Sequence, residues 1–585
     1  MLEPENRTTT HVTARVATSL KELEEKVEDR LKTMDSEGYP SRLLARDASL
    51  WTDDEDVRKK IGNRLGWIDL ESSVRDSLDE LTEYVGEAHD RGVRHVVLLG
   101  MGGSSLCPFV FKKTLYEGHP NIDLTVLDLT SPRAVAAVDG LFKKPEEALF
   151  LVSSKSGTTI ETLSFYEHFA RKYAPDQFVA ITDPGTPLEE LAAKKGFHRV
   201  FHGHPDVGGR YAALSMFGLV PAALMGVKVR RLLDRAKAMH TASFAGRRSC
   251  SERPGFWLGA VMAEAARAGR DKLTFFISPE IESFGVWIEQ LVAESTGKEG
   301  QGVIPVVGEA IGAPRVYDED RVFVHIRLPG DAASKEEKKV DSLEAAGHPV
   351  IRFYLDDPYD LGAEMLRWEL ATAVAGSIMR VNPFDEPNVT DAKKRTSDIL
   401  STLEHDARPA EEPPRVIDGD LSLHTDEELR SRAENGSFED WLTAHFSRLQ
   451  KGDYVALLAY LPDDPNVAGW LAKYQAAVRD ATGAATTVGY GPRYLHSTGQ
   501  LHKGGPNTGL FVMLTTDETE DREIPNAAYG FAALQRSQAL GDEQALRDNG
   551  RRVVRCHLGG SEMGSGLAEL GGRLNAALSR VKRVE

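Results

Sequence analysis

Four apolar segments between residues 81 and 245 constrain the fold more than any other feature of the chain. Residues 96–99, 124–127, 149–152 and 178–182 are almost continuously apolar, and intervals long enough for a helix separate them. Strands of this kind are typical of a doubly wound parallel sheet that helices cover on both faces. In such sheets, ligands bind at the carboxyl ends of the strands. The sequence therefore predicts an α/β fold whose site lies in the loops that follow the strands.

The turn after the third segment is crowded with hydroxyl groups. Its residues are Ser154, Lys155, Ser156, Gly157, Thr158 and Thr159. Hydroxyls at a strand-to-helix turn can donate to an anion that also meets the free N–H groups of the helix. Lys155 adds positive charge, and Gly157 lets the backbone approach closely. An ordinary helix cap needs only one or two such residues, so we predict a phosphate cradle at this turn.

A second α/β unit begins with the apolar strand at 273–277, and its pattern recurs later in the chain. Three pairs of segments follow in the same order: 273–277 with 455–459, 322–325 with 510–513, and 347–355 with 550–558. One such pair could arise by chance, because strand-turn-helix units resemble one another. Three pairs in the same order predict a duplicated module of roughly 130 residues.

These patterns divide the 585 residues into five predicted parts. The parts are an N-terminal helical segment at 1–80, a first α/β unit at 81–245, a second α/β unit at 246–400, an acidic and partly helical linker at 401–450, and a C-terminal α/β module at 451–585 that repeats 272–400. A chain of this length is expected to divide in this way, because single hydrophobic cores stop growing beyond ~250–300 residues.

The charge balance narrows the expected partners. The chain has 71 Lys and Arg against 89 Asp and Glu, a net charge of −18. Nucleic acids and anionic membranes bind clustered Lys and Arg, so we expect neither as a partner. Three cysteines without a CxxC motif support neither a disulfide framework nor a thiolate metal site. No apolar segment approaches the ~20 residues that span a bilayer, and the N-terminus has no signal-peptide core, so we expect a cytoplasmic protein.

Two glycine-rich segments supply further binding candidates. The turn at 100–105 ends in serine where a dinucleotide-binding fingerprint requires glycine. Gly103 and Ser104 therefore suit a sugar hydroxyl or a phosphate better. In the segment at 208–211, Arg210 follows two glycines and precedes an apolar run. We expect its side chain to be held inward, where it can stabilise an anionic intermediate.

Three acid–base candidates lie further along the chain. Gln290 and Glu294 are four residues apart and share one face of a predicted helix. Partial burial would raise the pKa of Glu294 and suit it as a general base, although the local pattern alone favours a solvated acid. Lys393 follows a proline-bracketed turn, where ordinary surface charge is the alternative. His496 lies in a polar, glycine-rich loop, which is typical of a binding role.

Together these motifs resemble the glucose-6-phosphate isomerase family, whose members contain two sugar-isomerase (SIS) domains. The matching segments are GMGGSSL at 100–106, SKSGTT at 154–159, GGRY at 208–211, ESTGK at 294–298, NPFD at 382–385 and HSTGQ at 496–500. The segments at 63–67 and 501–506 resemble the isomerase half of bifunctional transaldolase/glucose-6-phosphate isomerase. The resemblance implies two SIS-type doubly wound parallel-sheet domains, and the recurring segments add a C-terminal partial repeat of the second.

The resemblance also implies a reaction, the reversible conversion of glucose 6-phosphate to fructose 6-phosphate without a metal or cofactor. By this analogy Glu294 moves a proton between C2 and C1, and Arg210 stabilises the cis-enediolate. His496 opens the sugar ring, and Lys393 assists near the ring oxygen. The residues expected to hold the phosphate are Ser154, Ser156, Thr158 and Thr159, and those expected to position the sugar are Gly103, Ser104 and Gln290.

Two other functions are open at this point. One is a dual phosphoglucose and phosphomannose isomerase, because spacing does not reveal which residues line the C2 hydroxyl. The other is a non-catalytic SIS protein that binds a sugar phosphate, which would need neither Glu294 nor His496.

The order of the motifs departs from the family. Its usual order places the histidine loop before the lysine turn, whereas here Glu294, Lys393 and His496 follow one another. The first copy of the module keeps the glutamate helix and the lysine turn, and the second keeps the histidine loop. We expect the second copy to supply His496, either within the chain as an intrachain pseudo-dimer or across a homodimer. His502 is the alternative to His496.

Overall fold

The computed structural model describes residues 9–10, 15–118, 122–403, 409–431, 436–518, 520–560 and 562–583. Within these residues the strands form three sheets, each built mainly from parallel strands. Helices follow most strands and cover the sheets. The predicted fold class, two doubly wound parallel-sheet units and a C-terminal repeat, is confirmed.

The N-terminal segment contains strands as well as the predicted helices. Its elements are β1 (Thr9–Thr10), β2 (Arg15–Ser19), α1 (Glu24–Ser36), α2 (Tyr39–Leu44), α3 (Glu55–Gly62), α4 (Leu70–Ser73) and α5 (Leu78–Asp90). The hairpin of β1 and β2 is an addition that the sequence analysis did not predict. β2 pairs antiparallel with a strand in which Val350 faces Ser19, and a local pattern cannot reveal a partner so distant in sequence.

The first sheet has the order β4-β3-β5-β6-β7, and all of its strands are parallel. Its elements are β3 (His95–Gly100), α6 (Leu106–Leu115), β4 (Asp123–Leu127), α7 (Pro132–Asp139), β5 (Ala148–Ser153), α8 (Ile160–Phe169), β6 (Phe178–Thr182), α9 (Pro187–Lys195), β7 (Arg199–His202), α10 (Met216–Leu224) and α11 (Val229–Phe244). Every residue of β5 is buried, as expected for a central strand with helices on both faces.

Two further groups of elements form the remaining sheets. The second group is α12 (Pro254–Arg267), β8 (Lys272–Ile277), α13 (Phe284–Thr296), β9 (Ile304–Val306), β10 (Arg321–Arg327), α14 (Asp331–Ala345), β11 (Val350–Tyr354), α15 (Leu361–Met379) and α16 (Pro387–Ser401). The third group is β12 (Val416–Asp418), β13 (Leu421–Thr425), α17 (Glu427–Arg430), α18 (Phe438–Phe446), β14 (Tyr454–Tyr460), α19 (Pro465–Thr482), β15 (Ala485–Tyr490), α20 (Gly499–Gly504), β16 (Gly509–Thr516), α21 (Phe531–Asp548), β17 (Arg552–Leu558) and α22 (Met563–Leu578).

The second and third sheets have the same strand order. In β1-β2-β11-β10-β8-β9 and in β12-β13-β17-β16-β14-β15, an antiparallel pair precedes four parallel strands. The recurring sequence segments occupy equivalent strands, β8 with β14, β10 with β16 and β11 with β17. The predicted repeat is confirmed, and each copy also includes a hairpin. The first sheet lies between β2 and β8 in the chain, so it interrupts the first copy.

The predicted linker contributes to the third sheet. Residues 404–408 lie outside the described residues. Further on, β12 and β13 form an antiparallel pair, and β13 extends the third sheet by pairing with β17. These strands are three and five residues long, and their acidic, proline-containing flank hides them from a reading of local pattern.

Long-range contacts join the parts of the molecule. The indole N–H of Trp51 donates to the Ala373 carbonyl on α15 over 2.8 Å, which fixes the N-terminal helices against the second unit. α15 is buried along nearly its whole length. Along the described chain, no helix is both long and apolar enough to cross a membrane.

Candidate active site

A cavity of about 450 Å³ opens at the carboxyl ends of β3 and β5. Nine of the eleven predicted site residues line it: Gly103, Ser104, Ser156, Thr159, Arg210, Gln290, Glu294, Lys393 and His496. The other two, Ser154 and Thr158, belong to the same turn as Ser156 but are not part of the lining. The cavity thus brings together residues from the first, second and third units.

The lining has a slight excess of basic over acidic residues, although the chain as a whole is acidic. The basic residues lining the cavity are Arg64, Lys155, Arg210 and Lys393, and the acidic ones are Asp183, Glu294 and Glu386. A cavity with this balance can accept a dianionic phosphate, which the net charge of the whole protein would disfavour.

The hydroxyl turn is ordered by its own hydrogen bonds. The Ser154 and Thr159 hydroxyls lie 2.8 Å apart, and the Gly157 N–H donates to Ser154 over 3.1 Å. Ser154 is buried, so it shapes the turn from behind. Ser156 and Thr158 pair their hydroxyls over 2.9 Å on the outer side. Gly157 has a φ of +69°, and a side chain there would also press against Leu188.

Lys155 does not present a free charge to the cavity. Its ammonium pairs with the Asp183 carboxylate and donates to the His204 carbonyl over 2.9 Å. Burial lowers the pKa of Lys155 despite that carboxylate. Asp183 therefore partly neutralises the positive charge that Lys155 was expected to add, and the sequence spacing did not reveal this counter-ion.

Two glycine segments form the opposite wall. The turn that carries Gly102 and Gly103 packs against the backbone of Gly209, so a side chain at Gly103 would overlap the Gly209 carbonyl. Gly102 adopts a φ of +54°. A side chain there would crowd the His496 carbonyl. The glycines thus allow backbone from the first and third units to meet at the cavity.

Arg210 is held inward, as predicted. It is 4% exposed, and its Nε donates to the Ser295 hydroxyl over 2.8 Å. Its Nη2 donates to the carbonyls of Pro383 and Asp385, each over 2.8 Å. Its Nη1 lies 3.3 Å from Glu294 Oε1. The guanidinium therefore joins the glutamate helix to the turn at 382–385 and still borders the cavity.

Glu294 is buried, and the solvated helix-end acid favoured by the local pattern is wrong. It is 8% exposed, and its Oε2 accepts from Gln290 Nε2 over 3.1 Å. Burial raises the pKa of Glu294, Arg210 opposes the shift, and Glu386 adds to it. The same Gln290 amide donates to the His496 carbonyl over 2.8 Å, which links the glutamate helix to the histidine loop.

Lys298 fixes the turn that precedes Lys393. Its buried ammonium donates to the carbonyls of Asn382 and Asp385, and lies 2.8 Å from Asp385 Oδ1. Burial and the neighbouring Arg210 lower the pKa of Lys298 to about 8. Lys393 itself is exposed at the rim of the cavity, on α16.

His496 faces a carboxylate that the sequence analysis did not single out. His496 Nε2 lies 2.9 Å from Glu161 Oε1, and Glu161 is buried in the first turn of α8. Burial alone would raise the pKa of Glu161, but His496 lowers it overall. Because a carboxylate only accepts, Nε2 carries the proton and Nδ1 is left for a substrate. The sequence could have pointed to Glu161, because it follows Thr159 of the hydroxyl turn by only two residues.

Two ion pairs hold the histidine loop in place. Arg493 donates to both oxygens of Asp128, over 2.9 and 2.8 Å, at the end of β4. Lys503 lies 2.6 Å from Asp542 Oδ1, and both side chains are buried. His502 is also buried, among the aromatic rings of the third unit, and does not line the cavity. His496 is thus the histidine that reaches the site, and it does so within the same chain.

The glutamine of the HSTGQ segment joins three elements. Gln500 Nε2 donates to the Gly297 carbonyl over 3.0 Å, and the Asn388 N–H donates to Gln500 Oε1 over 2.9 Å. Gly297 ends α13 with a φ of −76°, so it is not the left-handed cap expected of a helix-ending glycine. A glycine is needed here because α20 packs closely against it. A Cβ at this position would lie only 2.4 Å from Leu501 Cα.

Comparisons with known proteins agree with this geometry. A sequence profile described as phosphoglucose isomerase matches residues 69–304. The glucose-6-phosphate isomerase of Cyanothece sp. is 24% identical over 60% of this chain and 75% of its own length. That of Carboxydothermus hydrogenoformans is 25% identical over 64% of this chain and 91% of its own length.

A solved structure shares the fold. The crystal structure of a glucose-6-phosphate isomerase from Chlamydia trachomatis matches with a TM-score of 0.56 and 16% identity, over 67% of this chain and 89% of that one. The likeness to this structure extends over about two thirds of the chain and concerns the fold. The chain is therefore similar in sequence and in fold to glucose-6-phosphate isomerases.

Proposed function

We propose that this protein interconverts glucose 6-phosphate and fructose 6-phosphate by proton transfer through a cis-enediolate. One observation carries the proposal. The Glu294–Arg210 pair and the His496–Glu161 pair border one cavity, beside the hydroxyl turn of the first sheet. A base, a cation and a ring-opening histidine around one anion site are what an aldose–ketose isomerase of this kind requires.

The phosphate binds at the turn between β5 and α8. Ser156 and Thr159 donate their hydroxyls, with Thr158 at the outer edge and Ser154 holding the turn. Thr159 precedes the first turn of α8 and has no side-chain cap, so the free N–H groups and dipole of that helix add to the site. Gly103, Ser104 and Gln290 then border the sugar from the opposite wall.

Ring opening comes first. His496 Nδ1 takes the proton from the C1 hydroxyl and delivers it to the ring oxygen, and the C1–O5 bond breaks to give the aldehyde. Glu161 holds Nε2 and balances the imidazolium charge. Lys393 lies on the same rim, where its charge can assist near the ring oxygen.

Proton transfer follows in the open chain. Glu294 takes the proton from C2, and the electron pair moves to the carbonyl oxygen at C1 to form the enediolate. Arg210 stabilises that negative charge. A proton then passes from the C2 hydroxyl to the O1 oxyanion, and the glutamic acid returns its proton to C1 as the C2 oxygen becomes the ketone. The raised pKa of Glu294 suits this exchange, because a stronger base abstracts a carbon-bound proton more readily.

A coupled assay with glucose 6-phosphate and mannose 6-phosphate, each with and without a chelator, tests the reaction. We expect turnover of glucose 6-phosphate that the chelator does not change. Glu294→Gln should lower kcat by ~10²–10⁴-fold, the usual contribution of a general base. Glu289→Gln is the matched control, because this glutamate lies on the same helix but does not line the cavity.

Three results would contradict the proposal. They are no turnover of glucose 6-phosphate, loss of turnover with chelator, or equal effects of the two substitutions. Turnover of mannose 6-phosphate as well would identify the dual isomerase.

The cellular setting is part of the same proposal. A sugar phosphate as the small-molecule substrate and the acidic charge of −18 favour a place in the cytoplasm. The repeat favours an intrachain pseudo-dimer, since His496 meets the residues of the first and second units within one chain.

A further inference from the structure

Gln538 lies behind the His496–Glu161 pair, on a helix of the third unit. It is on α21 and is 2% exposed. Its Nε2 donates to Glu161 Oε1 over 2.7 Å. This is the same oxygen that lies 2.9 Å from His496 Nε2. The carboxylate oxygen that holds the histidine is therefore also held by an amide from the repeated module.

Thr130 fixes the orientation of that amide. Its hydroxyl, which follows β4 in the first unit, donates to Gln538 Oε1 over 2.7 Å. A carboxylate only accepts hydrogen bonds, so Gln538 must turn its Nε2 toward Glu161. The Thr130 donor satisfies the amide oxygen in this orientation. One chain of hydrogen bonds thus alternates between the first and third units, through Thr130, Gln538, Glu161 and His496.

This chain of hydrogen bonds determines which nitrogen of His496 meets the substrate. A glutamate side chain in a buried pocket has several rotamers, and only some of them keep Oε1 on the imidazole. The Gln538 hydrogen bond favours those rotamers and stabilises the charged carboxylate. With Oε1 held, Nε2 keeps its proton and Nδ1 points away from Glu161.

Other charged groups lie near the His496–Glu161 pair, but those outside the core are more exposed than Gln538. Lys393 on α16 is close enough to lower the pKa of Glu161. Arg210, Glu294 and Glu386 line the same cavity as His496. Lys393 is exposed and Glu386 is half-exposed, so neither can hold the carboxylate in one geometry. Gln538 is buried and bonded at both ends.

We propose that Gln538 is a positioning residue for ring opening, by which the C-terminal repeat controls the acid–base histidine as well as supplying it. The inference rests on the proposed function, because it concerns one step of that reaction. It predicts that loss of Gln538 slows ring opening and leaves proton transfer at C2 nearly unchanged.

The test compares isotope effects in wild type and in Gln538→Leu, which keeps the volume but removes the amide. We expect kcat to fall about tenfold or more, because the hydrogen bond is to a charged group. The primary isotope effect with glucose 6-phosphate deuterated at C2 should fall toward 1, since ring opening then limits turnover. The exchange of α and β anomers, followed by NMR, should slow by at least the factor by which kcat falls.

Two further variants distinguish an effect on the site from a loss of folding. Thr130→Val keeps Gln538 but frees its amide to rotate, and it should shift the isotope effect in the same direction by a smaller amount. Gln535→Leu is the matched control on the same helix. Gln535 is also buried, but it lines a different cavity, at the end of β16. It should leave both kcat and the isotope effect unchanged.

The possible outcomes separate this inference from the proposed function. If wild type turns over glucose 6-phosphate and Gln538→Leu lowers kcat without changing the isotope effect, Gln538 is merely structural and the inference is overturned. An unchanged rate of anomer exchange would also overturn it. If wild type itself shows no turnover, the proposed function fails instead.

Discussion

The chemistry of Glu294 depends on its burial, and the residues that bury it lie far from it in the sequence. The sequence around Glu294 favours a solvated acid at the end of a helix. In the fold, Arg210, the turn at 382–385 and the histidine loop close over this carboxyl. Burial then raises the pKa of Glu294, although the charge of Arg210 opposes the shift. The type and spacing of Gln290 and Glu294 could be predicted from a helical period. The environment of Glu294 could not, because its neighbours are far away in sequence.

Glu386 provides a test of that environment. Its Oε2 lies 3.2 Å from Arg210 Nη1, the atom that is also 3.3 Å from Glu294 Oε1. Burial is the main cause of the raised pKa of Glu294, and the negative charge of Glu386 adds to it. Glu386→Gln removes that repulsion, so the pKa of Glu294 should fall.

The base must be ionised to act, so a lower pKa extends activity toward acid pH. We expect the acid limb of kcat/KM to move to lower pH by several tenths of a unit or more, the scale expected for one nearby charge. A pH–rate profile of wild type and Glu386→Gln measures the shift. Glu146→Gln removes an exposed charge far from the cavity and serves as the control. An acid limb that stays in place or moves to higher pH would contradict this description of the site.

At the level of elements, glycines set how closely helices approach the site. Gly297 ends α13 with a φ of −76°, a value that is open to any residue. The requirement is for space, because α20 lies against it through Leu501. The central strands of the first sheet, β3, β5 and β6, could be predicted because they are apolar and almost entirely buried. The hairpins could not, because their strands are short, and β2 and β13 pair with strands far along the chain.

Gly297→Ala tests the contact between α13 and α20. Overpacking of this kind typically lowers stability by ~1–3 kcal/mol, and it should also displace His496 from Glu161. We expect a lower thermal midpoint together with a lower kcat. Gly572→Ala on α22 is the control, since nothing lies within 4 Å of a Cβ there, and helical glycine-to-alanine changes usually stabilise. Equal midpoints and rates for wild type and Gly297→Ala would show that α20 does not need this approach.

At the level of the whole molecule, duplication has divided one site between two copies of a module. The first copy carries Glu294 and Lys393, and the second carries His496, Gln500 and the Gln538 amide. The shared strand order of the second and third sheets reveals the common origin of these parts. The repeat could be predicted because its strands recur in order along the chain. The interruption of the first copy by the first sheet could not, because only the pairing of β2 with β11 reveals it.

The central claim is that a single chain assembles the complete site. Co-expression of differently tagged Glu294→Ala and His496→Ala chains, followed by purification through both tags and assay with glucose 6-phosphate, tests it most directly. Each variant should be inactive alone. The mixed material should also be inactive, because every chain lacks one member of its own site. Recovery of a substantial fraction of wild-type activity in the mixture would show that His496 acts across subunits and would contradict the account.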